Sequence, residues 1–216
     1  MRIKYIVLAC VMLAIIAFAT IGIMHNKTSG VPEPSKESQQ AAVVSSKGGE
    51  KTLNNNQNKK ALVVYYSYTG NTRALAEQIR QSVDGDIFEI QPVTPYSTDY
   101  DTVVNQGKKE VESGYKPPLK KKVDNLSSYE VIFVGTPIWW YTIAPPVATF
   151  LSESELAGKT IIPFCTHGGY GAGHSLEDIK KLAPKSQVLD ELVLSGSNKY
   201  EQKEILAWLS KVGFGE

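Results

Sequence analysis

The sequence has 216 residues and a formal net charge of +1 at pH 7, which leaves room for one or two domains. The first 60 residues carry 8 Lys and Arg against 3 Asp and Glu, whereas the rest of the chain carries 15 against 19. The mildly acidic balance of the longer part argues against a nucleic-acid-binding surface. The two cysteines and three histidines show no spacing typical of a metal site.

An uncharged apolar run occupies residues 5–24, after Arg2 and Lys4, and is long enough to span a bilayer as a helix. Three interpretations remain open: an uncleaved membrane anchor, a signal peptide cleaved after the small-x-small motif at residues 17–19, and a lipoprotein signal ending at Cys10. Because the positive charges precede the run, each interpretation predicts that the following residues are exported.

Residues 25–60 are rich in Ser, Asn, Gln, Lys and Gly and contain almost no large apolar side chains. Such a composition cannot bury enough surface to fold, so we expect a disordered linker. The sequence therefore predicts an anchor or signal peptide at 1–24, a linker at 25–60 and one folded domain at 61–216.

Five apolar stretches predict the strands of this domain, at residues 61–66, 86–90, 131–135, 161–165 and 188–194. Three of them are continuous apolar runs, typical of strands covered on both faces, whereas the second alternates like an edge strand. Helical patterns separate these strands. One covers residues 101–112, another begins at two prolines, and another is predicted to be capped by Ser175. This alternation predicts an α/β fold whose parallel sheet binds ligands at its carboxyl edge.

A hydroxyl-rich loop follows the first strand and leads into a helix. It contains Ser67, Tyr68, Thr69, Gly70, Asn71 and Thr72. Free amides and the positive dipole end of a helix suit a phosphate group, and the hydroxyls add donors without adding charge. Ordinary capping of the helix is the alternative.

An aromatic loop follows the third strand. It contains Thr136, Pro137, Ile138, Trp139, Trp140 and Tyr141. Three consecutive aromatic residues cannot all face one core, so at the ligand edge of a sheet they predict a stacking surface for a flat ring. A domain or dimer contact is the alternative.

A glycine-rich loop follows the fourth strand. It contains Thr166, His167, Gly168, Gly169 and Tyr170, with further glycines behind them. Glycines let the backbone approach a ligand closely, although a flexible connector would have the same composition. Two roles remain open for His167, a protonated side chain beside the ligand or a hydrogen bond within the loop. The preceding Cys165 is interpreted as a buried small residue.

Three segments of the sequence resemble motifs of a known protein family. Residues 63–79, VVYYSYTGNTRALAEQI, resemble the flavodoxin signature, and GTPIWW at 135–140 and THGGYG at 166–171 resemble the two flavin-ring loops of flavodoxin-like proteins. The resemblance implies a three-layer sandwich with a five-stranded parallel sheet of order 2-1-3-4-5 and FMN at the strand ends.

The resemblance also implies roles for the three loops. Ser67, Thr69 and Thr72, with the amides between them, would hold the phosphate. Residues 136–140 would line the ribityl chain and one ring face, and residues 166–170 the pyrimidine edge.

Three functions are consistent with a flavodoxin-like domain of this kind. The first is an FMN-binding electron-transfer protein at the outer side of the membrane, with a redox protein as its partner. The alternative is an FMN-dependent NAD(P)H:quinone-type oxidoreductase acting on a small quinone-like acceptor, and the third is an interaction module that has lost the flavin. The sequence shows no nicotinamide fingerprint, which slightly favours the carrier.

Overall fold

A computed structural model of the chain describes residues 59–197 and 199–214. None of the helices in these residues combines the length and the hydrophobicity of a membrane-spanning segment. The predicted anchor or signal peptide at 1–24, and the predicted linker up to residue 58, lie outside the described residues.

The described chain alternates strands and helices, as predicted. The strands are β1 (Ala61–Tyr65), β2 (Asp86–Glu89), β3 (Val131–Trp139), β4 (Thr142–Ile143), β5 (Thr160–His167), β6 (Gln187–Val188) and β7 (Leu192–Ser195). The helices are α1 (Asn71–Val83), α2 (Tyr100–Ser113), α3 (Pro145–Glu153), α4 (Ser175–Leu182) and α5 (Gln202–Lys211), with a 3₁₀ turn at Leu126–Ser128.

The principal strands pair in parallel in the order β2-β1-β3-β5, and β6 and β7 both pair with the outer side of β5. Taken together, β6 and β7 are the fifth strand, so the predicted order 2-1-3-4-5 is confirmed. The short β4 is antiparallel to the end of β3. The register places the carboxyl ends of β1, β3 and β5 side by side, with Tyr65 opposite Gly135 and Pro137 opposite Thr166.

Two hydrophobic clusters cover the two faces of the sheet, because successive side chains of a buried strand point to opposite faces. In β1, Val63 packs into the cluster under α1 and α5, whereas Leu62 and Val64 pack into the cluster under α3 and α4. These clusters make the three-layer sandwich that was predicted. The edge strand β2 is only partly buried, in agreement with its alternating sequence.

The fifth strand departs from the prediction of one continuous segment at 188–194. It is interrupted at residues 189–191, where the carboxylate of Glu191 accepts hydrogen bonds from the Ser175 hydroxyl at 2.8 and 2.9 Å. The prediction that Ser175 caps α4 is therefore wrong. Ser175 is the first residue inside the helix, and its side chain is committed to Glu191, while His174 occupies the cap position.

Candidate functional site

A cleft of about 630 Å³ opens at the carboxyl edge of the sheet. Residues of all three predicted loops line it: Tyr68, Thr69, Asn71, Pro137, Ile138, Trp139, Trp140, Tyr141, Thr166, His167, Gly168, Tyr170 and Gly171. The face of α2 and the end of β7 complete the wall with Tyr100, Val103, Val104, Gly107, Ser195 and Gly196. The remaining predicted residues, Ser67, Gly70, Thr72, Thr136 and Gly169, belong to the same loops but are not among the lining residues.

One end of the cleft is the N-terminus of α1. Gly70 is its cap residue, with a left-handed φ of 96°, and among the described residues no side chain caps the helix. The Ser67 hydroxyl instead accepts a hydrogen bond from the Gly70 amide at 3.1 Å, which holds the loop closed. The first-turn amides that follow Gly70 are thus available to an anion, and the helix dipole favours negative charge at this end.

Arg73 follows the loop, but its charge is already paired. Its guanidinium binds the carboxylate of Glu89, which raises the pKa of Arg73, and it also bonds to the Tyr65 hydroxyl. The guanidinium of Arg73 is therefore engaged by Glu89 and Tyr65 and is not free to pair with an anion at the start of α1.

Two threonines connect the first and third loops. The hydroxyls of Thr72 and Thr166 lie 2.8 Å apart, and both residues are buried. Since each hydroxyl can donate and accept, one donor of the pair remains available beside the α1 terminus. The contact fixes the distance between the start of α1 and the glycine-rich loop.

The aromatic loop is a tight hairpin rather than an open loop. β3 continues past the predicted end at 135 to Trp139, which pairs with Thr142, and only Trp140 and Tyr141 connect the strands. Both connecting residues have positive φ, 49° and 65°. Two-residue hairpins with this geometry usually contain Asn and Gly, so two bulky aromatic residues here store backbone strain.

The two tryptophans have different environments. Trp140 is 41% exposed, its indole N–H donates to the carbonyl of Val104 at 3.1 Å, and the ammonium of Lys108 lies 5.2 Å from its ring centre. These contacts hold the ring at the mouth of the cleft. Tyr141 beside it is 55% exposed, and its ring centre lies 6.3 Å from that of Tyr170.

Trp139 belongs to an aromatic cluster at the base of the cleft. Its ring contacts Tyr66, Tyr68 and Tyr96 edge-on, with centres 5.8, 6.0 and 4.9 Å away. A Cβ at Gly107 would lie 3.0 Å from the indole, so the glycine of α2 provides the space for this ring. Packing on all these sides makes Trp139 a support for the site as well as part of its wall.

A buried polar group lies behind this cluster. The Tyr96 hydroxyl donates to Glu110, whose other carboxylate oxygen accepts from the Gln106 amide at 2.8 Å. Burial and the neighbouring Glu110 raise the pKa of Tyr96, so the phenol stays protonated and remains a donor. This network ties α2 to the loop that precedes it.

Thr136 stabilises the aromatic hairpin instead of lining the cleft. Its side chain is buried, donates to the carbonyl of Pro137 at 2.9 Å and accepts from the amide of Ala144 at 3.0 Å. The hydroxyl therefore joins the two sides of the hairpin at the point where α3 begins.

In the glycine-rich loop, His167 makes a hydrogen bond within the loop. Its Nδ1 accepts from the amide of Gly169, which has a φ of 117°, at 3.0 Å. This contact is the hydrogen bond within the loop that was one of the two predicted roles of His167. The carbonyl of His167 accepts from Gly196 at 2.8 Å, which joins this loop to the end of β7.

The loop after β7 is a fourth element of the site that sequence reasoning missed. The buried hydroxyl of Tyr200 accepts from the amide of Ser197 at 3.0 Å and donates to the carbonyl of Asn71 at 3.2 Å. It thereby attaches the β7 loop to the first turn of α1. The signal in the sequence was the Ser-Gly-Ser run after a weak strand, which is typical of any turn.

Cys165 is buried, as predicted, and burial raises the pKa of its thiol, with Glu191 as a further cause. It is therefore no nucleophile at neutral pH. Among the residues that the structure describes, no group of side chains could hold a metal ion.

Comparisons with known proteins agree with this geometry. A family model described as Flavodoxin matches residues 60–212. A candidate flavoprotein from Bacteroides eggerthii is 35% identical, with a TM-score of 0.65 over a match covering 72% of this chain and 98% of that chain. A candidate flavoprotein from Bacteroides uniformis is 29% identical, with a TM-score of 0.63 and coverages of 70% and 98%.

A more distant structure shares the fold. A flavoprotein in complex with FMN from Lactobacillus acidophilus is 22% identical, with a TM-score of 0.53, and the match covers 64% of this chain and 93% of that one. A search among curated proteins gave no match. The family model matches well over half of this chain, so the chain belongs to the flavodoxin family.

Proposed function

We propose that the cleft binds FMN and that the protein uses it to transfer electrons. The main support for this proposal is the pair of features at the two ends of the cleft. One end is a helix N-terminus without a side-chain cap, and the other is a strained aromatic turn. A phosphate group and a planar ring in one molecule match these two ends, and both lie at the carboxyl edge of a parallel sheet.

The residues present fit this cofactor. At the phosphate end, Thr69 and the first-turn amides of α1 would bind the anion, and the hydroxyl pair of Thr72 and Thr166 would supply a further donor. At the ring end, Trp140 and Tyr141 offer exposed faces and Gly168 offers backbone without a side chain. Bound FMN supplies reversible electron uptake, and the protein residues orient the ring and limit its contact with water.

A titration of the full-length apoprotein with FMN and with riboflavin tests the phosphate end. Each charge-assisted hydrogen bond to phosphate contributes roughly 1.5–3 kcal/mol, so FMN should bind at least tenfold more tightly. Equal affinities for the two flavins would reject the assignment of this loop.

One observation favours a second candidate, the NAD(P)H-dependent reductase. Tyr100, Tyr141 and Tyr170 are 71%, 55% and 82% exposed at the cleft mouth, and such a rim suits a small planar acceptor of the quinone class. A stepwise reductive titration separates the candidates. A carrier should take up electrons in two separate steps and oxidise NAD(P)H slowly, whereas one two-electron step with rapid NAD(P)H turnover supports the reductase.

We also propose that the domain lies outside the cytoplasm, attached to the membrane by residues 5–24 or released after their cleavage. The support is the order of charge and apolarity in the sequence, with Arg2 and Lys4 before the apolar run. A reporter fused after residue 216 tests this, since an enzyme that is active only outside the cytoplasm should be active. Activity of a cytoplasm-only reporter would reject the location.

A further inference from the structure

The strained turn at Trp140 and Tyr141 is attached to the start of α4 by two hydrogen bonds. The amide of His174 donates to the carbonyl of Tyr141 at 2.9 Å. The hydroxyl of Thr142, the residue after the turn, donates to the Oδ2 atom of Asp178 at 2.6 Å. Gly173 packs so closely that a Cβ there would lie 2.0 Å from the Tyr141 oxygen.

Asp178 joins these contacts. Its Oδ2 atom also bonds to the Nδ1 atom of His174, and its Oδ1 atom accepts from Lys181 at 3.0 Å. The side chain of Asp178 is 20% exposed. Burial alone would raise the pKa of Asp178, but the bonds from Thr142, Lys181 and His174 together hold it below the usual range, so the carboxylate is a charged acceptor at neutral pH.

The backbone ladder that supports the turn is short. β4 contains two residues, and its ladder with β3 consists of the pairs Ile138–Ile143 and Trp139–Thr142. A left-handed backbone at two bulky residues persists only where the surroundings over-determine it. The α2 contacts hold the ring of Trp140, whereas the contacts with α4 hold the backbone of the turn at the Tyr141 carbonyl and at Thr142.

We propose that Asp178 and His174 are positioning residues that hold Trp140 and Tyr141 in the conformation that receives the planar ring. This inference rests on the proposed function and concerns only the ring end of the cleft. His174 also ends the glycine-rich loop, so the same contacts fix the second and third loops to each other. Loosening them weakens binding of the ring and leaves the phosphate end unchanged.

The test uses Thr142→Val in the full-length protein, because this change removes the hydroxyl and keeps the shape of the side chain. Quenching of flavin fluorescence gives the dissociation constants of FMN and riboflavin. Loss of one buried hydrogen bond should raise both constants by the same factor, about fivefold, and increase the residual fluorescence of the bound flavin. Thr142→Ser retains the hydroxyl and should restore both values.

Lys181→Gln is the matched control, since it removes an exposed ion pair with Asp178 and no contact with the turn. It should leave both constants within about twofold of the wild type. If Thr142→Val unfolds, Asp178→Asn takes its place, because it removes the charge at nearly constant volume and should weaken both flavins by a similar factor.

Other results separate the failure of this inference from failure of the proposed function. A wild-type protein that binds neither flavin contradicts the proposed function. A wild type that binds flavin, with variants that bind both flavins equally well, overturns the positioning role alone. A loss restricted to FMN also overturns it, because the phosphate end would then be the part affected. Faster hydrogen exchange at residues 140–142 of the variant apoprotein is the expected flavin-free result, and unchanged exchange counts against the role.

Discussion

Replacing Gly173 with alanine tests how closely the glycine-rich loop must approach the aromatic turn. Gly173 has a φ of 59°, and a Cβ built there would lie 2.0 Å from the oxygen, 2.5 Å from the carbonyl carbon and 2.7 Å from the Cα of Tyr141. Ordinary contacts begin at 3.4 Å. All three atoms belong to the backbone, so no rotamer change relieves the clash and the turn itself must move.

The cost of this change has two parts. A left-handed φ costs an alanine about 1–2 kcal/mol. Displacement of the turn breaks the bond from the His174 amide to the Tyr141 carbonyl, worth about 1 kcal/mol. The two parts together would destabilise the flavin-binding conformation by about 2–3 kcal/mol relative to a relaxed free protein. FMN affinity should then fall roughly 30- to 150-fold.

Calorimetric titration with FMN measures the effect, and Gly158→Ala is the control. Gly158 has a φ of 76° with nothing within 4 Å of its Cβ position, and it precedes β5 at the opposite edge of the sheet. The control should lower the unfolding temperature and leave FMN affinity unchanged. Equal FMN affinity in Gly173→Ala and Gly158→Ala would refute the argument that the turn depends on this contact.

Three further predictions concern residues around the cleft. Trp140→Ala should weaken FMN binding and increase the fluorescence of bound flavin with little change in unfolding temperature, whereas Trp139→Ala should destabilise the apoprotein by about 3 kcal/mol, because its ring is packed among tyrosines. If neither change affects affinity or quenching, the aromatic residues belong to an interface. Burial raises the pKa of Glu191 from its ordinary 4.5, so the folded state binds this proton more tightly and stability falls as pH rises from about 4.5 through the folded pKa. Glu191→Gln should abolish that part of the slope in unfolding temperatures measured between about pH 4 and pH 8, and an unchanged slope would contradict the assignment. Tyr200→Phe removes the hydroxyl that bonds to the Asn71 carbonyl and should lower the free energy of unfolding in urea by about 1 kcal/mol, whereas an unchanged midpoint would show that the bond contributes nothing.

The sheet was predictable because its central strands leave few alternatives. β1, β3 and β5 are continuous apolar runs, and such runs need helices on both faces, which the intervening helical patterns supply. The positions of the three loops follow, since parallel strands place every strand-to-helix loop on one edge. Thr69, Trp140 and Gly168 were assigned to one site for this reason, and all three line the cleft.

The turn geometry could not be predicted. Sequence rules assign Asn and Gly to two-residue hairpins with positive φ, so the pair Trp140 and Tyr141 indicates a loop and not a turn. The strain is tolerated because α4 holds the turn from the other side, and α4 lies more than thirty residues further along the chain. For the same reason the sequence did not distinguish Trp139 from Trp140, whose difference depends on Gly107 in α2.

The contacts that sequence reasoning missed share one property, which is that they join loops to each other. Thr72 bonds to Thr166, Tyr200 bonds to Asn71, and the His174 amide bonds to Tyr141, so the loops that bound the cleft are connected in pairs. A site whose loops are already fixed loses less conformational entropy when a ligand binds. Substitutions in these pairs should therefore leave the loops of the free protein less fixed and so weaken flavin binding. This should hold even where the altered side chain touches no ligand.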